Sequence, residues 1–212
     1  MMPRTDARVW RAARSFEELA ALTAEWLEGR LSGHPNGHHD GPDPETIPLV
    51  PVLAQANRGG FLTEGSQPGE LAHHEGAPWH QRAFVSGFAG PGLAATVNEL
   101  ACRAGLVTRV YLPAGRPMLE GGSVDVTRWG SRINTGIGDF LKPRSVRRTF
   151  PGCHADALCG VIGAWQVTVV DPEWGRNDLL WPTLRHALET HQVLDQPTGY
   201  SCGIMTRDAG EG

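Results

Sequence analysis

The stretch from residue 82 to residue 112 constrains the fold more than any other part of the sequence. A short apolar run, Arg82 to Phe88, leads into a glycine-rich turn and then into Leu93 to Ala104, where apolar residues recur at helical spacing. A second apolar run, Leu106 to Leu112, follows after one glycine. A strand, a glycine turn, a helix and a strand in this order favour a parallel crossover. The pattern predicts an α/β fold.

Two further helices are expected before this unit. Ser15 and Glu18 have the spacing of a capping box, and apolar residues at helical spacing continue to Leu31. Glu45 to Asn57 has one apolar helical face, and its two prolines predict that the helix starts late or is kinked. We therefore expect the segment before Asn57 to contribute two helices.

After this unit the sequence predicts a strand and a helix. Val161 to Val170 is the strongest strand pattern, and a helix capped by Asn177 or Asp178 is expected to run to Thr190. The whole pattern predicts an α/β (or α+β) domain, with a mixed sheet of about four to six strands flanked by helices. Residues 1–14 and 205–212 are expected to be poorly ordered.

Composition excludes several classes of protein. The chain has 212 residues, 40% of them hydrophobic, and a formal net charge of −4, which is typical of one soluble domain over residues 1–212 and not of a disordered chain. It has no apolar run long enough to span a bilayer and no secretory signal at its start. The prediction is a cytoplasmic protein with reduced thiols and no membrane partner.

A polar stretch between two apolar runs, within Asn57 to Phe88, is the predicted site. Thr63, Ser66 and Gln67 follow an apolar run directly, and ligands of α/β sheets bind beyond strand ends. Hydroxyl and amide groups there are candidate ligand-binding groups for an anionic or amide-bearing molecule. The alternative is a turn in which Ser and Thr only satisfy backbone groups.

His80, Arg82 and Asp171 complete the predicted site. His80 is a candidate catalytic acid or base, because a histidine titrates near neutral pH. Arg82 is a candidate anion ligand, and Asp171, at the end of the strongest strand pattern, is a second catalytic candidate. The alternatives are a surface histidine, a structural salt bridge of Arg82 to Glu64 or Asp171, and an Asp-Pro turn.

Two other clusters carry metal-ligating residue types. The segment Gly33 to Pro44 contains three histidines and an aspartate (His34, His38, His39 and Asp40), but its glycines and prolines favour a flexible surface loop. Cys153 and Cys159 have a spacing that is unusual for zinc sites, and idle thiols are expected. The sequence therefore assigns no metal ligand and identifies no cofactor.

The pattern N-R-x-G-F-x-T-x-x-S-Q-P-G at Asn57 to Gly69, followed by Q-R-A-F-V-S-G-F at Gln81 to Phe88, resembles an uncharacterised family, a domain of unknown function. The resemblance extends to the N-terminal helix and to Asp171. It implies a single domain of actinobacterial or mobile-element origin. It implies no activity and no catalytic residue.

Two functions of different classes are consistent with these features. The first is a small-molecule-binding protein. It would be a transferase or hydrolase that uses acid–base chemistry in the 57–88 region. The second is a non-catalytic interaction protein of a mobile element, which uses the basic region 128–148. Nucleic acid is disfavoured as a partner because the whole chain is acidic. The ligand, the oligomeric state and whether the protein is an enzyme remain open at this point.

Overall fold

The protein is described by a computed structural model that covers residues 2–39, 41–74, 76–118 and 122–195. The helices of these ranges are Arg4–Ala12 (α1), Phe16–Leu27 (α2), Val50–Arg58 (α3), Pro91–Arg103 (α4), Pro143–Thr149 (α5), Ala155–Gly163 (α6) and Leu180–Asp195 (α7). The strands are Phe61–Gln67 (β1), Glu70–His74 (β2), Ala77–Ala89 (β3), Val107–Leu112 (β4), Arg116–Pro117 (β5), Val124–Trp129 (β6), Arg132–Ile137 (β7) and Trp165–Trp174 (β8). Short 3-10 helices cover Pro44–Leu49 and Pro113–Gly115.

Strand β3 is the centre of the sheet because four other strands pair with it. Its first half pairs with β2 and β6, and its second half pairs with β1 and β8. The strand order is β5-β4-β8-β3-β6-β7, with β1 and β2 joined to β3 outside this path. Every strand pairing in the described residues is antiparallel.

The predicted α/β class is confirmed, and the crossover through α4 has a distinctive form. Strands β3 and β4 are both antiparallel to β8, so they run parallel to each other with β8 between them. The helical connection therefore joins parallel strands that are not neighbours. Strand β8, which comes much later in the chain, lies between them. The local sequence pattern around α4 does not reveal this insertion.

The two faces of the sheet have different neighbours. Val85, Val167 and Val169 belong to the main core with the helices, including α4 and α7, which pack on each other. The opposite face carries a small apolar cluster of Phe84, Val126 and Val170. Next to that cluster the face becomes polar. The alternation of buried apolar and polar positions along β8 follows from the two-residue repeat of a strand.

One predicted strand is partly wrong. Of the predicted strand Val161 to Val170, the first three residues complete α6, and β8 begins only at Trp165 and continues past Asp171 to Trp174. The side chain of His154 accepts a hydrogen bond from the N–H of Asp156 and caps α6. A continuous apolar run does not distinguish a buried helix end from a strand, and the length of the run cannot locate the boundary.

The polar stretch between Thr63 and Gln81, predicted as a loop, is mostly strand. It contains most of β1, all of β2 and the start of β3, with Pro68 and Gly69 between the first two. Polar residues are compatible with a strand when one of its faces meets solvent or a polar cavity. Because so many of its side chains are polar, this stretch lacks the alternating apolar pattern from which a strand is predicted.

The N-terminal segment, for which the sequence predicts little order, forms α1. Its Trp10 is 2% exposed and donates a hydrogen bond from Nε1 to the carbonyl oxygen of Gly33 at 2.9 Å. Ser15 caps α2 by accepting from the N–H of Glu18, as predicted. The predicted C-terminal tail lies outside the described residues. Within the described ranges, no helix has the length and apolarity to cross a bilayer.

Candidate functional site

Glu64 lies at a β-bulge in β1. In the pairing with β3, Thr63 is opposite Gly87 and Gly65 is opposite Ser86, so Glu64 has no residue opposite it. A bulge redirects the side chain of the extra residue. Here Oε2 of Glu64 accepts a hydrogen bond from Oγ of Ser86 at 3.2 Å. Burial raises the pKa of the Glu64 carboxyl, and the bond from Ser86 offsets part of that effect.

A cavity of about 210 Å³, here called the sheet cavity, lies on the polar face of the sheet. Strands β3, β4 and β8 form its floor, and the segment 136–141 lines it as well. Its polar side chains are Glu64, Ser86, Tyr111, Asp139, Gln166 and Thr168. The amide of Gln166 holds this segment in place, because it accepts from the N–H of Leu141 and donates to its carbonyl oxygen, both at 2.8 Å.

A second cavity of about 120 Å³, here called the edge cavity, lies where β1 meets α2 and the segment 34–46. Glu64 lines this cavity too, so one residue borders both spaces. The segment 33–44 was expected to be a flexible surface loop, but its His34 is 3% exposed and packs against the rings of Trp10 and Trp26. The two cavities and Glu64, which they share, form the candidate site.

Two of the sequence-predicted ligand residues, Thr63 and Ser66, line the edge cavity beside Glu64. Thr63 also has a structural role. Its Oγ1 accepts from Nδ2 of Asn57 at 2.7 Å, and its N–H donates to Oδ1 of Asn57 at 3.1 Å. The structure therefore brings part of the predicted polar stretch to a concave surface.

Gln67 and Arg82 lie apart from the two cavities and contact strand β6. Nε2 of Gln67 donates to the carbonyl oxygens of Arg82 at 2.9 Å and Val126 at 3.0 Å. Nη1 of Arg82 donates to the carbonyl oxygen of Asp125 at 2.9 Å. These bonds connect β3 to β6. Burial lowers the pKa of Arg82, with the carboxylate of Asp125 opposing the shift.

His80 lies in a stack of cations and aromatic rings on the same side of β3. Nδ1 of His80 accepts from Nε of Arg128 at 3.1 Å, and the His80 ring lies 6.3 Å from the ring of Trp174. The guanidinium carbons of Arg82 and Arg128 lie 4.1 Å and 4.7 Å from the Trp174 ring centroid, within cation–π range. His80 and Arg82 are thus near each other but not near Ser66.

Asp171, predicted as a catalytic candidate, is fully buried at the end of the core part of β8. Its carboxylate accepts from Nε of Arg176 at 2.9 Å, from Nη2 of Arg176 at 2.7 Å and from the N–H of Glu173 at 2.9 Å. Hydrogen bonding to Asp171 raises the pKa of Arg176. This geometry is that of a turn stabilised by an ion pair.

The family model described as a domain of unknown function (DUF6919) matches residues 5–191. The chain belongs to this family. None of the curated proteins matches the chain significantly. The family match covers β1, both cavities and every sequence-predicted site residue. Its description states no activity, so the functional argument depends on the geometry of the site.

Sequence reasoning missed Glu64 and Ser86 as site residues. Glu64 stands between two predicted ligand residues, but the sequence suggested for it only a salt bridge to Arg82. Ser86 lies inside an apolar run, where a hydroxyl gives no local signal. Both residues are candidates because the bulge directs the side chain of Glu64 towards Ser86. A bulge depends on the pairing of two strands and cannot be recognised from one local stretch of sequence.

The thiols give little support to a catalytic cysteine. Burial raises the pKa of Cys153 to about 11, so the protonated and weakly nucleophilic form dominates at neutral pH. Cys159 is exposed. Because a thiolate is the reactive species, the expectation of idle thiols is consistent with this environment.

Glu64→Gln is expected to change how stability depends on pH. The folded state raises the pKa of Glu64, so folding favours the protonated carboxyl. The contribution of this carboxyl to the free energy of unfolding is complete below the unfolded pKa near 4.5. It is lost as pH rises through the folded pKa. Urea unfolding at pH 4 to 8 should show that the variant gains stability relative to wild type as pH rises. A difference that is flat or falls with pH would show that the carboxyl is not desolvated.

Proposed function

We propose that the protein binds a small, neutral, polar molecule in the sheet cavity and that Glu64 is its proton donor, in a hydrolase or transferase reaction. The observation that carries the proposal is a half-buried carboxyl with a raised pKa, hydrogen-bonded to Ser86 and lining a polar cavity. A raised pKa favours the protonated carboxyl, which is the form that a general acid needs.

A second carboxyl supports an acid–base pair. Asp139 lines the same cavity from the segment 136–141 and is exposed, so it is suited to accept a proton. A protonated carboxyl and a carboxylate on either side of a substrate are the usual catalytic groups of hydrolases that act on sugars. None of the described residues that line the cavity is an arginine or a lysine, which favours a neutral ligand over a phosphate.

The test is the thermal stability of the protein against neutral sugars, amides, amino acids, nucleotides and sugar phosphates. A ligand at about a hundred times its dissociation constant should stabilise the protein by about 2.7 kcal/mol. We expect a neutral compound to do so, and we expect Glu64→Gln and Asp139→Asn to reduce the ligand-induced shift. Arg82→Ala is the matched control, because Arg82 lines neither cavity, and its ligand-induced shift should be unchanged.

The opposite pattern would contradict the proposal. A shift that is retained in Glu64→Gln and lost in Arg82→Ala would place the ligand at the stack of Arg82, Arg128 and Trp174 instead. No shift with any compound would favour the second candidate, an interaction protein. The cytoplasmic location and the actinobacterial origin remain predictions.

The interaction candidate is supported by the charge of α5. Lys142 and the three arginines of the helix are exposed and form no ion pair in the described residues. Arg128, in contrast, is used internally against His80 and Trp174. The α5 part of the predicted basic region, together with the exposed Arg132, is therefore free to meet an acidic partner.

A further inference from the structure

Two residues that line the edge cavity carry a buried ring nitrogen without a hydrogen-bond partner in the described residues, Nε1 of Trp26 and Nε2 of His34. Trp26 is 8% exposed and His34 is 3% exposed, and both residues line the cavity. Buried polar groups in native proteins are nearly always bonded, so each exception calls for an explanation such as a bound molecule.

The protonation of His34 makes both groups donors. Nδ1 of His34 accepts from the N–H of Asn36 at 3.3 Å, which places the ring hydrogen of the neutral form on Nε2. Burial lowers the pKa of His34 to about 4, so the ring is neutral at pH 7. An indole N–H can only donate. The missing partner of both groups is therefore an acceptor.

The charges around the cavity limit the kind of acceptor. Among the described residues, the carboxyl groups in its lining are those of Asp43 and Glu64, and no arginine or lysine lines it. An anion would meet the negative charge of Asp43 there, whereas a neutral oxygen would not. The rings of Trp26 and His34 are 4.8 Å apart, and a carbonyl oxygen has two lone pairs with which to accept from both.

We propose that Trp26 and His34 form a binding pocket for a neutral carbonyl group, such as that of an amide. The hydroxyl groups of Ser66 and Thr46 and the carboxyl of Glu64 line the same pocket and can bond the amide N–H groups. The volume of about 120 Å³ accommodates a small amide, since one water in the liquid takes about 30 Å³. This inference does not depend on the acid–base role of Glu64 in the sheet cavity.

Nitrogen-15 NMR of the indole N–H groups tests the proposal, with acetamide as the probe and acetate and inorganic phosphate as comparisons. Acetamide should shift the Trp26 resonance, assigned with Trp26→Phe, and the shift should saturate. Acetate should bind about tenfold more weakly, or not at all. The internal control is Trp10, in the same ring cluster, whose Nε1 already donates to Gly33. Its resonance should remain in place.

Two variants separate this pocket from the proposed function. Ser66→Val fills part of the edge cavity without removing either donor, so it should abolish the acetamide shift. Asp139→Asn changes a residue that lines the sheet cavity and not the edge cavity, so it should leave the shift intact. Should Trp26→Phe fail to fold, the Nε2 resonance of His34 in the wild-type protein gives the same information. Absence of a saturable shift, or equal shifts of Trp10 and Trp26, would overturn the proposal.

Discussion

Gly87→Ala is expected to lower the free energy of unfolding by about 2–3 kcal/mol, because the added methyl group has no room. A Cβ at this position would collide with the carbonyl oxygen of Leu62 and lie 2.8 Å from Cε1 of Phe61. Both residues are fully buried in β1. A backbone oxygen in a paired strand cannot rotate aside, so β1 and β3 would have to separate. Urea unfolding followed by circular dichroism measures the loss.

Gly90→Ala is the matched control, three residues further along the chain, where Gly90 is the N-cap of α4. Its Cβ would have no neighbour within 4 Å, and its φ of −63° is open to any residue. We expect no loss of stability, or a gain of about 0.4–1 kcal/mol from a less flexible unfolded chain. If both variants lost stability equally, the close approach of β1 to Gly87 would not be the reason for the glycine.

Asn57→Ala is expected to lower the free energy of unfolding by about 3 kcal/mol, because one buried amide makes three hydrogen bonds. Asn57 is 1% exposed, and Nδ2 donates to the carbonyl oxygen of Leu53 at 2.8 Å and to Oγ1 of Thr63 at 2.7 Å. Its Oδ1 accepts from the N–H of Thr63. Without the amide, that N–H loses its partner and the turn from α3 into β1 loses its anchor.

Thr63→Val tests how much of this effect belongs to the hydroxyl alone. The valine keeps the backbone bond to Asn57 and the volume of the side chain, so the loss should be about 1 kcal/mol. Urea unfolding of both variants under the same conditions gives the comparison. A loss in Thr63→Val as large as that in Asn57→Ala would mean that the hydroxyl, and not the amide, stabilises the turn. Because Thr63 also lines the edge cavity, acetamide binding by this variant is worth measuring in parallel.

The sequence determined those elements whose signals are local. The cap at Ser15, the helical spacing of α2 and α4, and the late start imposed on α3 by its prolines are properties of neighbouring residues, and the structure has them. The α/β class follows from the order of such elements. The same reasoning drew attention to the polar stretch that contains Thr63 and Ser66, since polar residues between apolar runs are visible without a structure.

Tertiary structure alone decided the insertion of β8 between β3 and β4, because strand pairing joins residues far apart in sequence. It also separated the predicted site residues. Gln67, His80 and Arg82 contact β6 and Trp174, while Thr63 and Ser66 join Glu64 at the edge cavity.

The raised pKa of Glu64 depends on burial, and so does the lack of a partner, within the described residues, for the ring nitrogens of Trp26 and His34. Desolvation arises only when the chain is packed, since every one of these groups would be hydrated in the unfolded chain. Local signals thus specified α2, α3, α4 and α7 and drew attention to the polar stretch, and the packing of β1 against β3 and α2 made part of that stretch a candidate site.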